Sequence, residues 1–175
     1  MNKPIAIILC GPPCIGKNTY IKNNKKYLHQ FVPLSFDDYR YINGKYDFSN
    51  APFSSVYESF KNDLNYYKEL EIPIIINNVS VDNYSVLWFT SMLEDTYDIK
   101  LVFFKPESSF TLQCRNIYRW FTEGRYTPKR VIRNFLKTYK SFYEDRNNIR
   151  YSWISSEFTP DSLRHVISRG GCGSC

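Results

Sequence analysis

Gly11-Pro12-Pro13-Cys14-Ile15-Gly16-Lys17, followed by Asn18 and Thr19, holds the residues best suited to chemistry. A G-x-x-x-x-G-K turn between a strand and a helix aims successive backbone N–H groups at a phosphate. Lys17 then reaches the outer phosphates as a point charge, and the helix that follows adds the positive end of its dipole. The plainer reading is a Gly-Pro turn with a surface lysine. The apolar run Ile5-Ala6-Ile7-Ile8-Leu9-Cys10 directly before the loop favours the phosphate-binding reading. A nucleoside triphosphate, ATP or another, is the implied ligand.

Two further clusters extend the chemistry. Asp37-Asp38-Tyr39-Arg40 follows a second apolar run. At a strand end facing the γ-phosphate, Asp37 can take the proton of an attacking hydroxyl, and Arg40 can hold a phosphate of the acceptor. The competing reading makes Asp37 a helix cap. Arg115 and Arg119 lie four apart, on one face of an expected helix, with Arg125 in the turn beyond. On a hairpin that closes over a triphosphate, such arginines stabilise the charge developing on the transferred group. Salt-bridged surface arginines are the alternative.

Metal chemistry is less complete. Mg²⁺ in phosphate loops is usually held by a Ser or Thr hydroxyl after the lysine. Asn18 occupies that position, with Thr19 next. An amide oxygen is a weaker ligand for a hard cation than a carboxylate. The third strand ends in Asn77-Asn78, where an acidic residue would organise the metal shell. The expectation is that Mg²⁺ is held by the triphosphate, water, Asn18 or Thr19, with Asp37 as a further candidate. The loop is similar here to that of the adenylate-kinase family, which ends Gly-Lys-Gly-Thr.

These residues need a scaffold. Strands are expected over 3–10, 31–36, 72–76, 99–104 and 150–155. Helices are expected over 17–29, 53–70, 82–96, 107–121, 128–145 and 160–168, with a loop over 41–52. Strands alternating with helices specify an α/β fold with a central parallel sheet of four to five strands, covered on both sides. Ligands in such sheets bind at the carboxyl ends of the strands. The phosphate loop, Asp37 and Asn77-Asn78 all follow strand ends.

The chain has 175 residues and net charge +6. Residues 115–150 carry ten Lys/Arg against three Asp/Glu, a local excess of +7. That segment suits a polyanion, and equally a solvated helix surface. No apolar run approaches the ~20 residues of a membrane span, and the apolar N-terminal segment leads into the phosphate loop. A cytoplasmic protein with no membrane partner is the expectation. Five cysteines form no disulfide framework. Cys172 and Cys175 form a lone C-x-x-C after Gly170-Gly171, and His29 and His165 offer no matching metal-ligand spacing. Residues 1–168 are read as the domain and 169–175 as a flexible tail. The chain has 15 Tyr and 13 Phe, which mostly suit a core.

Over roughly residues 3–145 the chain resembles the kinase domain of phage-type polynucleotide 5′-hydroxyl kinases. The resemblance rests on the loop at 11–17, on Asp37-Asp38-Tyr39-Arg40, and on Arg115-Asn116-Ile117-Tyr118-Arg119. Pro128-x-x-Val131-Ile132-Arg133 and Tyr139-Lys140-Ser141 follow as in that family. It implies a P-loop kinase with an Arg-bearing helical lid, acting with ATP and Mg²⁺ on single-stranded or end-containing DNA or RNA that carries a 5′-hydroxyl. Lys17 would hold the β/γ-phosphates, Asp37 would be the general base and Arg40 would grip the acceptor's 3′-phosphate. Arg119, with Arg115 beside it, would meet the donor. Asn18 stands for the family's loop serine. Asn78 stands for its strand-three aspartate, on the acceptor side with Asp37 and Arg40. The implied context is a virus-encoded nucleic-acid repair enzyme in a host cytoplasm. Two other readings stay open: a kinase for a nucleoside or nucleoside monophosphate, and a nucleotide-binding protein weakened by its asparagines.

Overall fold

Alternation along Ile5–Cys10 layers the molecule. In the computed structural model, which describes residues 3–157, this segment is strand β1 and is buried throughout. Ile5, Ile7 and Leu9 pack on one side and Ala6, Ile8 and Cys10 on the other, as a strand with helices on both faces requires.

The chain continues through α1 (Lys17–Asn23), α2 (Lys25–Leu28), β2 (Val32–Leu34) and a short 3₁₀ helix, Phe36–Arg40. A hairpin of β3 (Tyr41–Ile42) and β4 (Lys45–Tyr46) follows, then α3 (Phe53–Glu69), β5 (Ile74–Ile76) and α4 (Asn83–Leu93). The last elements are β6 (Asp98–Phe103), α5 (Ser109–Glu123), α6 (Lys129–Glu144) and β7 (Ser152–Ser155). Five strands form one parallel sheet in the order β2-β5-β1-β6-β7. This is the α/β architecture that the strand–helix alternation predicts.

One face of the sheet is covered by Phe60 and Leu64 of α3 and by Val86, Phe89 and Leu93 of α4. The other is covered by Tyr20, Leu28, Leu112, Ile132 and Leu136, from α1, α2, α5 and α6. Helix α6 also reaches the first layer through Tyr139 and Phe142. The Tyr139 hydroxyl lies 2.7 Å from the Cys10 carbonyl and 2.6 Å from that of Phe104. A buried tyrosine hydroxyl needs such partners, and this one ties the root of the phosphate loop to the segment leading into α5.

Three elements differ from the sequence expectation. The helix expected over 17–29 breaks at Asn24, whose side-chain amide donates to the Tyr20 carbonyl at 2.9 Å. Such local bonding competes with helix propagation. The second strand is shortened to three residues and lies at the sheet edge, where Pro33 withholds no ladder donor from a central strand. The segment 41–52 contains the β3–β4 hairpin, whose two-residue Asn43-Gly44 turn has φ of 50° and 77°. Asn-Gly suits that left-handed turn, and short flanking strands hid the signal. The helix expected at 160–168 and the tail at 169–175, with Cys172 and Cys175, lie outside the described residues. Cys10, Cys14 and Cys114 are free thiols. Among the described residues no helix is long and apolar enough to cross a membrane.

Candidate active site

The phosphate loop, residues 11–17, leaves β1 and turns into α1. Gly16 adopts φ 111°, a backbone that strains any side chain, and Cys14 sits at φ 64°. Lys17 is buried, and its Nζ donates to the carbonyls of Gly11 at 2.7 Å and Pro12 at 3.4 Å. Burial pushes its ammonium down to about 8. In that state the loop is closed on its own lysine. An arriving phosphate offers full negative charge in place of two carbonyl dipoles.

Asp37 stands in the turn after β2, and its neighbours settle which residue does the capping. Ser35 Oγ accepts from the Asp37 N–H at 3.3 Å, and Asp38 Oδ2 accepts from the Ser35 N–H at 3.0 Å. This reciprocal capping box uses Ser35 and Asp38. Burial raises the Asp38 carboxyl above its usual range. The Asp37 carboxylate is left to face outward from the strand ends. Its Oδ1 accepts from the Tyr46 hydroxyl at 2.9 Å, and its Oδ2 pairs with the Arg125 guanidinium. Arg125 also lies over the Tyr46 ring, 4.7 Å from its centroid. Burial and then Asp37 push the Tyr46 phenol up to about 12. Asp37 is also among the charges that bear on Lys17.

Helix α5 and the segment after it, the expected lid, carry Arg115, Arg119 and Arg125. Arg115 donates to the loop carbonyls of Ile15 at 3.3 Å and Cys14 at 3.5 Å, and pairs with Glu107 at 2.8 Å. Arg119 donates to Thr127 Oγ1 at 2.7 Å. Asn116 is buried and clasps the Thr127 backbone from both sides, at 2.8 Å and 3.0 Å. That clasp fixes the segment 124–128, and with it Arg125. Arg119 and Arg125 each keep a buried Nε without a partner, so each retains a donor for an incoming anion.

The two asparagines after β5 divide their work by parity. Ile75 faces the α1 side of the sheet, while Ile74 and Ile76 face the α3 side. Asn77 continues the first direction and donates its amide to Asn18 Oδ1 at 2.6 Å. Asn78 continues the second. Its Oδ1 accepts from the Phe36 N–H at 2.8 Å and from Ser35 Oγ at 3.4 Å. Asn77 is therefore the residue opposite the loop, and Asn78 braces the turn that carries Asp37. Period-two alternation is the sequence signal for this division.

Lys17, Asp37, Arg115, Arg119, Arg125, Asn18 and Asn77 thus gather at the carboxyl ends of β1, β2 and β5. Thr19 is exposed on α1 beside Asn18. Arg40 ends the 3₁₀ helix that carries Asp37 and is among the charges that bear on Tyr46. It is buried, donates to the carbonyls of Phe48 at 3.3 Å and Ala51 at 3.2 Å, and stacks 4.2 Å from the centre of the Phe48 ring. The hairpin folds residues 47–51 back over it, with the Asp47 N–H on the Arg40 carbonyl at 2.8 Å.

No protein-family profile matches the chain. NEDD4-binding protein 2 from Homo sapiens is 27% identical over 163 residues, which cover 93% of this chain and 9% of that protein. Among solved structures, a chain of the Pnkp1/Rnl/Hen1 RNA repair complex superposes with a TM-score of 0.71 at 19% identity, covering 83% of this chain and 47% of that one. Deoxyadenosine kinase from M. mycoides gives 0.51 at 16% identity, covering 94% and 97%. The chain spans less than a tenth of the human relative and about half of the repair-complex chain. With its phosphate loop between β1 and α1, and with these neighbours in fold, the chain has the fold of the P-loop kinases.

Proposed function

We propose that the protein transfers the γ-phosphate of ATP to the 5′-hydroxyl of a DNA or RNA strand. The observation that carries this reading is the Asp37 carboxylate. Ser35 and Asp38 relieve it of capping, and it stands at a strand end near the phosphate loop. The fold shared with a chain of an RNA repair complex supports a nucleic-acid acceptor over a small one.

Transfer would proceed in line. Asp37 takes the proton of the acceptor hydroxyl as that oxygen bonds to the γ-phosphorus and the bond to the β,γ-bridging oxygen breaks. Lys17, Arg115 and Arg119 hold the triphosphate and the charge spreading over the transferred group. Arg125 must move off one carboxylate oxygen before Asp37 can take a proton there. Its natural destination is a phosphate of donor or acceptor. Arg40, packed beneath residues 47–51, supports the turn bearing Asp37, and reaching an acceptor phosphate would require that loop to move.

The chain's residues fit a Mg²⁺ ion in a restricted way. Asn77 Oδ1 is buried without a partner and Asn18 Oδ1 lies beside the same amide. With the Thr19 hydroxyl these are neutral oxygens, suited to an ion that keeps its waters and is bound mainly through phosphates. Among the described residues no cluster of three acidic, His or Cys side chains surrounds them. The bound ion would supply neutralisation of triphosphate charge. Asn18→Ser combined with Asn77→Asp restores a hydroxyl and a carboxylate together. The Mg²⁺ concentration for half-maximal rate is then expected to fall by about tenfold, as for changes in a metal's supporting shell. A Mg²⁺ titration of the initial rate checks this, and an unchanged midpoint would mean that neither position contacts the ion.

The test of function is transfer of labelled γ-phosphate from ATP with Mg²⁺. The acceptors are a 5′-hydroxyl oligonucleotide, a 3′-nucleotide, a nucleoside and a nucleoside monophosphate, with Asp37→Ala as control. Label on the oligonucleotide, lost in the variant, is the expected result. Label only on the nucleoside or its monophosphate would replace this reading with a small-acceptor kinase. No transfer with ATP still bound would make the protein a nucleotide-binding one.

A further inference from the structure

The lid exposes aromatic side chains that the phosphate chemistry does not use. Phe121 is 75% exposed, Tyr126 54% and Trp120 52%. They are not scattered. The Trp120 ring lies 4.9 Å from that of Phe121 and 6.3 Å from that of Tyr126, centre to centre. Tyr126 directly follows Arg125, whose guanidinium rests on Asp37. Across the site, Tyr41 is half-exposed and packs edge-on against Tyr46 at 5.6 Å. One Asp37 oxygen thus meets the hairpin, through Tyr46, and the other meets the lid, through Arg125. Aromatic surface continues outward from both contacts.

Charge decides what such surface suits. Helix α6 begins three residues after Tyr126 and exposes Lys129, Arg130, Arg133, Lys137 and Lys140, with no acidic residue before Glu144. An apolar protein partner would leave that cationic face unmatched. A single strand of nucleic acid uses both features, its phosphates along the cations and its bases on the rings. The geometry points to a base-stacking subsite, formed by Tyr41 on the hairpin and by Trp120, Phe121 and Tyr126 on the lid. It would take the first nucleotides of a single-stranded acceptor. This inference rests on the polynucleotide reading of the site and adds that bases, as well as phosphates, are held. It predicts that a paired or recessed 5′ end must be unstacked before it is used.

The test compares two labelled 5′-hydroxyl octanucleotides, one of thymidines and one abasic at its first three positions, so that backbone charge is equal. By fluorescence anisotropy the wild-type protein should bind the thymidine strand at least about tenfold more tightly, since stacking on an aromatic ring is worth a factor of about five to one hundred per base. Trp120→Ala with Tyr126→Ala should bring the two affinities together, and Trp120→Phe should keep them apart. Unchanged thermal melting of the variants shows that the fold is intact, as the exposure of both rings predicts. Equal binding of both strands by the wild-type protein, binding of neither, or a preference that survives the double substitution would overturn the subsite. Phosphoryl transfer to the same strands reports separately on the kinase reading. Equal use of both would sink the subsite and leave that reading standing. A binding preference without transfer to either strand would sink the reading and leave a strand-binding surface.

Discussion

Asp37→Asn should lower kcat for phosphoryl transfer by about 10²–10⁴-fold, the usual contribution of a positioned general base, while ATP still binds. The substitution is isosteric, so the amide can keep the Tyr46 hydroxyl on its remaining oxygen. What it removes is a group able to take the acceptor's proton. It also removes the ion pair that holds Arg125, and Arg125 is then free to meet the triphosphate. ATP affinity should therefore hold or rise while turnover collapses. Single-turnover rates with an oligonucleotide acceptor, alongside an equilibrium ATP titration, separate the two effects. Near wild-type turnover would remove Asp37 from the role of base. An equal loss of ATP binding would make it a structural partner of Lys17 and Arg125.

The layered sheet was legible because its signals are local and redundant. Continuous apolar runs at 5–10 and 74–76 fit strands buried on both faces, and α6 places Ile132, Leu136, Tyr139 and Phe142 on one stripe. The phosphate loop was legible for the same reason. Strand, glycine turn and lysine lie within thirteen residues. What escaped were pairings with no local signal. Arg125 and Asp37 are 88 residues apart, and the Asn116 clasp on Thr127, with Arg119 on the same residue, helps to bring them together. Asn116 falls within the Arg-Asn-x-x-Arg pattern, yet its buried amide sets the shape of the segment after α5. The sequence expectation puts Arg40 on the acceptor side from its place three residues after Asp37. That spacing carries no information about the hairpin, which folds residues 47–51 over its guanidinium. Asn78 could have been sorted from Asn77 by strand parity, a local rule.

Lys17 gives the second large effect, and its sign depends on what is measured. Lys17→Ala should lower transfer by about 10²–10³-fold, the cost of removing one preorganised donor from developing charge. The unsubstituted protein carries an independent signature of the same residue. Burial holds the Lys17 ammonium down to about 8 in the free protein, below its ordinary value near 10.5. A triphosphate beside it favours the charged form and raises it again. Nucleotide affinity should therefore be level below about pH 8 and weaken above it, by up to about tenfold per pH unit. Folding stability moves the other way. The unfolded chain binds the proton more tightly than the fold does, so the Lys17 contribution to stability rises from about pH 8 towards the ordinary lysine value. Isothermal titration of ATP across pH 7–10, paired with denaturant unfolding over the same range, measures both slopes. In Lys17→Ala both should flatten. Affinity that stays level through pH 9 in the wild-type protein would mean that the Gly11 and Pro12 carbonyls hold the ammonium charged without a nucleotide.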